Sequence, residues 1–381
     1  MPAQMALRTD ESGRKATWLE LFYDLIYVVV IARLVHSLAD HAANHLTVWA
    51  VFEFIFLFVP VWWAWTGHTL FANRFDPDDT PQRLLTLAQI FFLILLAGSI
   101  EGVFSGGAFY FALYYALVRS LLVLMYWRVH SHAPHLHPVT KPFLFGFSAG
   151  VVLWLLSLAF SGAFQYVLWG AALLVDFLTP PLARKILSEI SVHRHHLPER
   201  LGLLTIILLG ESVTGLVGGL GKGPWQWPSL VSLTGAFILM AGIWWLYFET
   251  LETLVVNAKL KAAQLAIYGH AIIYAGLAFV AAGMALCIKQ ETSAADTALL
   301  LSGGMIAILV PLLAVCAPLI PAPHNRGFVV TMIVLLATYL CFSWGLQFVS
   351  IEWQCLVAAV PVCVFIGWHA QRGYLLTCKI D

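Results

Sequence analysis

The sequence predicts an all-α polytopic membrane protein of about twelve transmembrane helices, arranged as two parallel six-helix repeats. Three observations predict it. First, 61% of the 381 residues are hydrophobic and only 10% charged, against about 25% charged in an ordinary soluble domain; the mean hydropathy is +0.85. Second, the apolar residues gather into stretches of about 20, the length that crosses a hydrocarbon core of about 30 Å. Third, Lys and Arg alternate in abundance from one connection to the next.

In chain order the spans lie near residues 17–38, 45–72, 84–104, 107–129, 142–161, 164–183, 200–219, 228–251, 263–287, 297–318, 326–346 and 352–374. The first follows a polar leader and holds acidic residues with no A-x-A site behind it, so it is expected to stay as a helix. Trp18, Trp127, Trp225, Trp227 and Trp353 fall near span ends, where aromatic belts anchor helices. Trp62, Trp63, Trp244 and Trp245 sit deeper, with packing as their default. Pro60, Pro311 and Pro361 interrupt spans and free backbone carbonyls. Most of the Lys and Arg, from Arg8, Arg14 and Lys15 to Arg326, Arg372 and Lys379, fall in the even-numbered segments. Lys222 and Lys289 fall on the other side, while Arg33 and Arg119 lie inside spans. This asymmetry predicts both termini in the cytoplasm.

Two halves of the chain also resemble each other. DLIYVVVIARL from Asp24 matches GLLTIILLGES from Gly202, Trp62-Trp63 matches Trp244-Trp245, and Lys141-Pro-Phe matches Arg326-Gly-Phe. The resulting division is a cytoplasmic tail over 1–16, a first repeat over 17–185, a linker over 186–198, a second repeat over 199–374 and a tail over 375–381. Six helices is an even number, so the two halves have parallel topology, and sites in such proteins lie where halves meet.

An ionised side chain near the bilayer centre costs about 2.5–3.5 kcal/mol on insertion scales, so such residues face a bundle interior, a partner or water. Glu20 and Asp24 share one face of the first helix; Arg33 leaves from the opposite face. Arg33 and Glu211 lie about 18 Å into their helices, at 1.5 Å per residue. They either neutralise each other across the seam or find partners in their own halves. Asp176, Glu249 and Glu199 lie toward the cytoplasmic side with Glu20 and Asp24, as an acidic vestibule for cations or protons. Glu20 and Glu199 alternatively cap helix N-termini, where the macrodipole favours carboxylates. Arg200, Arg119, His270 and Glu53 complete the polar set at membrane depth. His270 either relays protons or holds a neighbouring helix.

His130, His132, His135 and His137 occupy one inner loop and His193, His195 and His196 the next. Neutral imidazoles suit iron or zinc, which makes a membrane-embedded, metal-dependent lipid-modifying enzyme the alternative function. Solvated or pH-sensing histidines account for the same clusters. The six cysteines form no C-x-x-C pair; Cys341 and Cys355 flank one outer turn, where they either pair or stand as single thiols. A net charge of zero with no basic face argues against nucleic acid. No P-loop, G-x-S-x-G or H-E-x-x-H identifies a cofactor or a hydrolase.

WLELFYDLIYVV at Trp18 to Val29 and HLPERLGLLTIILLGES at His196 to Ser212 resemble the bacterial low temperature requirement protein A family. YALVR at Tyr115 to Arg119, WWLYFE at Trp244 to Glu249 and YGH at Tyr268 to His270 are similar to it as well, so the resemblance covers nearly the whole chain. It implies a multi-pass inner-membrane protein linked to growth in the cold, with Glu20, Asp24, Arg119, Glu199, Arg200, Glu211 and His270 as motif positions. Together with the buried acids, this makes a transporter or ion pathway, carrying a proton or monovalent cation, the expected function. A sensor in which charge pairs only hold the bundle is the third reading.

Overall fold

The computed structural model describes residues 16–75, 79–183, 196–220, 226–252, 260–290, 292–318 and 324–372. Twelve helices among them are long and apolar enough to cross a membrane, and no strand occurs among the described residues. They are α1 (Trp18–Asn44), α2 (Val48–Arg74), α3 (Thr80–Ser99), α4 (Ala108–His132), α5 (His137–Ser157), α6 (Ala163–Leu182), α7 (His196–Gly219), α8 (Trp227–Tyr247), α9 (Leu260–Lys289), α10 (Ala294–Cys316), α11 (His324–Gly345) and α12 (Ile351–Arg372). The all-helical, multi-span class expected from composition is the class observed.

Local chemistry sets the helix ends. Thr17 and Glu20 form a reciprocal capping box at α1: the Glu20 N–H donates to Thr17 Oγ1 at 3.2 Å and the Thr17 N–H to Glu20 Oε2 at 2.7 Å. Asp79 caps α3 by accepting from the Gln82 N–H at 3.0 Å, with proline next inside. Ser293 does the same for α10 through the Asp296 N–H at 3.1 Å. Gly162 turns the chain into α6 at φ 70°, a left-handed conformation that suits glycine. Pro60, Pro311 and Pro361 lie inside α2, α10 and α12.

The chain divides into two compact units whose boundaries fall within helices. The first comprises residues 1–33 and 59–200, hence α3 to α6 whole, the start of α1, the later part of α2 and the first turn of α7. In it α3, α4, α5 and α6 pack in sequence, each against the next. Phe71, Phe75, Tyr126, Phe143 and Phe147 form an aromatic core with Leu122, Met125 and Val129, Tyr126 stacking on Phe143 at 5.2 Å between ring centres. Beside it Trp154 stands 4.3 Å from Tyr115 and 5.0 Å from Trp169.

The second unit comprises residues 34–58 and 201–381. Here α9 lies along α10 and α8 along α12. A Cβ on Gly276 would come 2.7 Å from the Gly304 carbonyl oxygen, and one on Gly304 2.7 Å from that of Gly276. The two backbones therefore touch, as small residues permit between membrane helices. Trp62 and Trp63 are buried, as their depth suggested, but Trp244 and Trp245 are about half exposed on α8. The two tryptophan pairs that aligned in sequence thus do not share an environment. The span-end residues Trp18, Trp127, Trp227 and Trp353 are exposed as expected; Trp225 lies outside the described residues. Cys287, Cys316, Cys341, Cys355 and Cys363 are free thiols, so the Cys341–Cys355 bond does not form.

Candidate functional site: a buried charge network in the first unit

The helical period places Glu20, Tyr23, Asp24 and Tyr27 on one face of α1, and all four are buried. Opposite them α2 presents Trp65, His68, Thr69 and Asn73, also buried, and the first turn of α7 presents His196 and Arg200. Arg200, with its side chain fully buried, donates from Nη2 to Asp24 Oδ1 at 2.6 Å. Its Nη1 lies 3.3 Å from Glu20 Oε1. Trp65 Nε1–H donates to the same Asp24 Oδ1 at 2.7 Å. Asp24 Oδ2 is buried with no hydrogen-bond partner among the described residues. His196 completes the cluster: Nε2 is 3.3 Å from Glu20 Oε1 and Nδ1 is 3.2 Å from Asn73 Nδ2. Glu20 therefore caps α1, one of the two roles the sequence offered, and also contacts His196 and Arg200 of α7, which the sequence did not predict.

A second pair lies deeper along the same unit. Arg119 of α4 and Asp176 of α6, each 1% exposed, meet at 2.9 Å between Nη2 and Oδ2. The guanidinium also lies over the Phe147 ring at 4.5 Å. Asp176, read from the sequence as part of an acidic vestibule, is instead matched with an arginine. Glycines make room for the pair: a Cβ on Gly150 would come 2.6 Å from Asp176 Oδ1, and one on Gly67 2.7 Å from Arg119 Nη1. Aromatic groups fill the space around the two charge clusters. Tyr23 stacks on His68 at 3.9 Å and lies 5.2 Å from Tyr27. His68 is held by Gln89 Oε1 at 2.8 Å, and Gln89 donates to the Val118 carbonyl at 3.0 Å.

The other expected residues stand elsewhere. Arg33, half exposed, pairs with Glu101 at 2.8 Å, so it takes the local partner of the two options its depth offered. Glu199 lies in the first turn of α7 and accepts from the Ala16 N–H, just ahead of α1, at 3.3 Å. Glu211 and Glu249, in the second unit, are half-buried; Glu249 sits in a π-helical turn, Phe248–Glu252, that continues α8. His270 is fully buried and fully engaged. Its Nδ1 contacts the Ala266 carbonyl at 2.6 Å, which can only accept, so Nε2 is left to accept from the Tyr247 hydroxyl at 2.8 Å. Glu53 lies 3.6 Å from His41.

The described members of the histidine clusters do not assemble as a ligand set. Among the described residues no group of three or more His, Cys, Asp or Glu side chains is placed to hold a metal ion. His130 and His137 stack at 3.9 Å, but His132 bonds its own helix at the Arg128 carbonyl, and His196 belongs to the charge network. His193 and His195 lie outside the described residues.

Sequence reasoning missed Tyr23, Tyr27, Trp65, His68, Asn73 and Tyr115. The signal for the α1 tyrosines was present, since Tyr23 and Tyr27 are three and seven residues past Glu20, on its face. Trp65, His68 and Thr69 repeat the same period on α2.

Fold and site together define a multi-pass helical membrane protein whose first unit buries two arginine–carboxylate clusters. The chain belongs to the family described as bacterial low temperature requirement A protein (LtrA), whose model matches residues 15–366. It is also similar to an uncharacterized protein, RA0937, of Rhizobium meliloti (strain 1021), with 28% identity over 334 residues that cover 79% of this chain and 76% of that protein.

Proposed function

We propose that this protein is a bacterial inner-membrane transporter or ion pathway that moves a proton or monovalent cation through the first unit, with both termini in the cytoplasm. A buried cluster of ionisable groups carries the reading: Glu20 and Asp24 of α1 meet Arg200 and His196 of α7 within one unit. Intramembrane ionisable groups arranged this way are the usual elements of proton relays and ion routes. The unpartnered Asp24 Oδ2 is the atom at which the incoming proton or cation binds. Arg119 and Asp176 continue the polar line deeper into the unit. Glu211 and Glu249 are accessory acids in the second unit, and the family's tie to low-temperature growth is the setting in which the flux acts.

The test is flux in liposomes carrying the purified full chain and a pH-reporting dye, under imposed proton, Na⁺ and K⁺ gradients. Wild type is expected to dissipate at least one gradient faster than empty liposomes, and Asp24→Asn to abolish that flux while remaining monodisperse. Empty-liposome rates for wild type, or unchanged flux in Asp24→Asn, would overturn the reading and leave the charges as bundle-holding pairs.

A further inference from the structure

A groove of about 880 Å³ runs between α4 and α5, separate from the buried charge network. On α4 its wall is Ser120, Val123, Leu124 and Trp127, ending at His130; on α5 it is Lys141, Leu144, Phe145 and Ser148, starting at His137. Both sets follow the helical period, so each is a continuous stripe on its helix. The helices run antiparallel from the short connection at 133–136, which brings His130, His137 and Lys141 together at one end. Ten residues separate His130 from Ser120, so the groove extends about 15 Å from that end at 1.5 Å per residue, half of a core about 30 Å thick. Its depth is one leaflet.

The walls are apolar and open outward: Phe145 is 70% exposed, Trp127 55% and Leu124 40%. At the rim the chemistry changes. Lys141 is exposed, and among the described residues no carboxylate lines the groove. The two rings are fixed in place, His130 Nδ1 by Thr140 Oγ1 at 2.8 Å and His137 Nε2 by the His130 carbonyl at 2.9 Å.

We infer that this groove binds one anionic phospholipid, its phosphate held at Lys141 beside the His130 and His137 rings and one acyl chain laid along Val123, Trp127, Leu144 and Phe145. An exposed lysine at headgroup level favours negative lipid, and a lining with no acid among the described residues offers the ammonium of a zwitterionic headgroup no partner there. The leaflet-deep apolar walls distinguish a lipid from a free anion.

Native mass spectrometry of the delipidated full chain tests this with phosphatidylglycerol and phosphatidylethanolamine of identical acyl chains, and inorganic phosphate as a competitor. Wild type is expected to retain phosphatidylglycerol about fivefold more tightly than phosphatidylethanolamine, and exposed Lys141→Ala to remove that preference. Leu144→Trp, which fills the groove, is expected to weaken both lipids. Equal binding of the two lipids by wild type, an undiminished preference in Lys141→Ala, or displacement of the lipid by inorganic phosphate alone would overturn the assignment. The outcome is independent of whether the first unit conducts ions.

Discussion

Arg200 and Asp24 are 176 residues apart in the chain and 2.6 Å apart in the structure. Their bond ties the first turn of α7 to the middle of α1, and it does so inside an apolar unit where either charge alone is expensive. Because Glu20 also reaches Arg200 at 3.3 Å, the two partners are not equivalent. Arg200→Gln removes the arginine that both carboxylates share and is expected to cost about 3–5 kcal/mol, enough to lower yield in detergent. Asp24→Asn leaves Arg200 with Glu20 and is expected to cost clearly less. Thermal midpoints of the two purified variants measure the order; an Asp24→Asn variant as unstable as Arg200→Gln would contradict it.

The glycines beside the deeper pair make a second prediction. Gly150→Ala presses a methyl onto Asp176 and Gly67→Ala presses one onto Arg119, so each is expected to destabilise by about 1–3 kcal/mol through overpacking. Gly98 in α3 has nothing within 4 Å of an added Cβ. Gly98→Ala is therefore the control, expected to be neutral or slightly stabilising. The same thermal assay reads all three, and a Gly150→Ala midpoint at or above that of wild type would remove the steric account.

His270 and Tyr247 satisfy each other in the core of the second unit. His270→Phe removes the hydrogen bond between the Tyr247 hydroxyl and the His270 ring, at a cost of about 1 kcal/mol. Tyr247→Phe/His270→Phe removes both polar groups and is expected to recover part of that loss. Flux is expected to survive in the double variant, which assigns His270 to packing; a double variant that folds but conducts nothing would return it to the ion path.

Outside the spans, Asp79 gives a prediction in pH. Burial alone would raise its carboxyl, but the hydrogen bond from Arg128 and the Gln82 N–H outweigh this and hold it below the ordinary aspartate value. A group depressed on folding contributes stability above its unfolded pKa, and that contribution is lost as pH falls through the folded value. The wild-type midpoint is therefore expected to fall below about pH 4 more steeply than that of Asp79→Asn. Asparagine keeps the α3 cap, whereas Asp79→Ala also loses it, at about 1 kcal/mol. Parallel acid limbs for wild type and Asp79→Asn would show that the Arg128 contact is inert.

The spans were legible because lipid leaves a strong trace: a run such as LLTLAQIFFLILLAG in α3 has no other stable home than a bilayer. Charged site residues stood out for the same reason, so Asp24, Arg119, Asp176 and Arg200 were visible as costly exceptions. Their partners were not. Opposite charges on four different helices admit several pairings, and Arg119 was not matched with Asp176 because nothing in α4 or α6 marks their register. Gly67 and Gly150 carry no chemical signature at all; only the packed helices show that a methyl there would strike the ion pair. Trp244 and Trp245 misled for a related reason, since a shared dipeptide says nothing about which face of α8 turns inward.

The central claim is that the cluster of Glu20, Asp24, Arg200 and His196 takes up the transported charge. Its most direct test is the initial rate of dye-reported flux in liposomes for wild type and Asp24→Asn, normalised to folded protein and to empty vesicles. A wild-type rate above background that falls to background in Asp24→Asn is the predicted result. Equal rates in the two proteins, with both correctly folded, would contradict it.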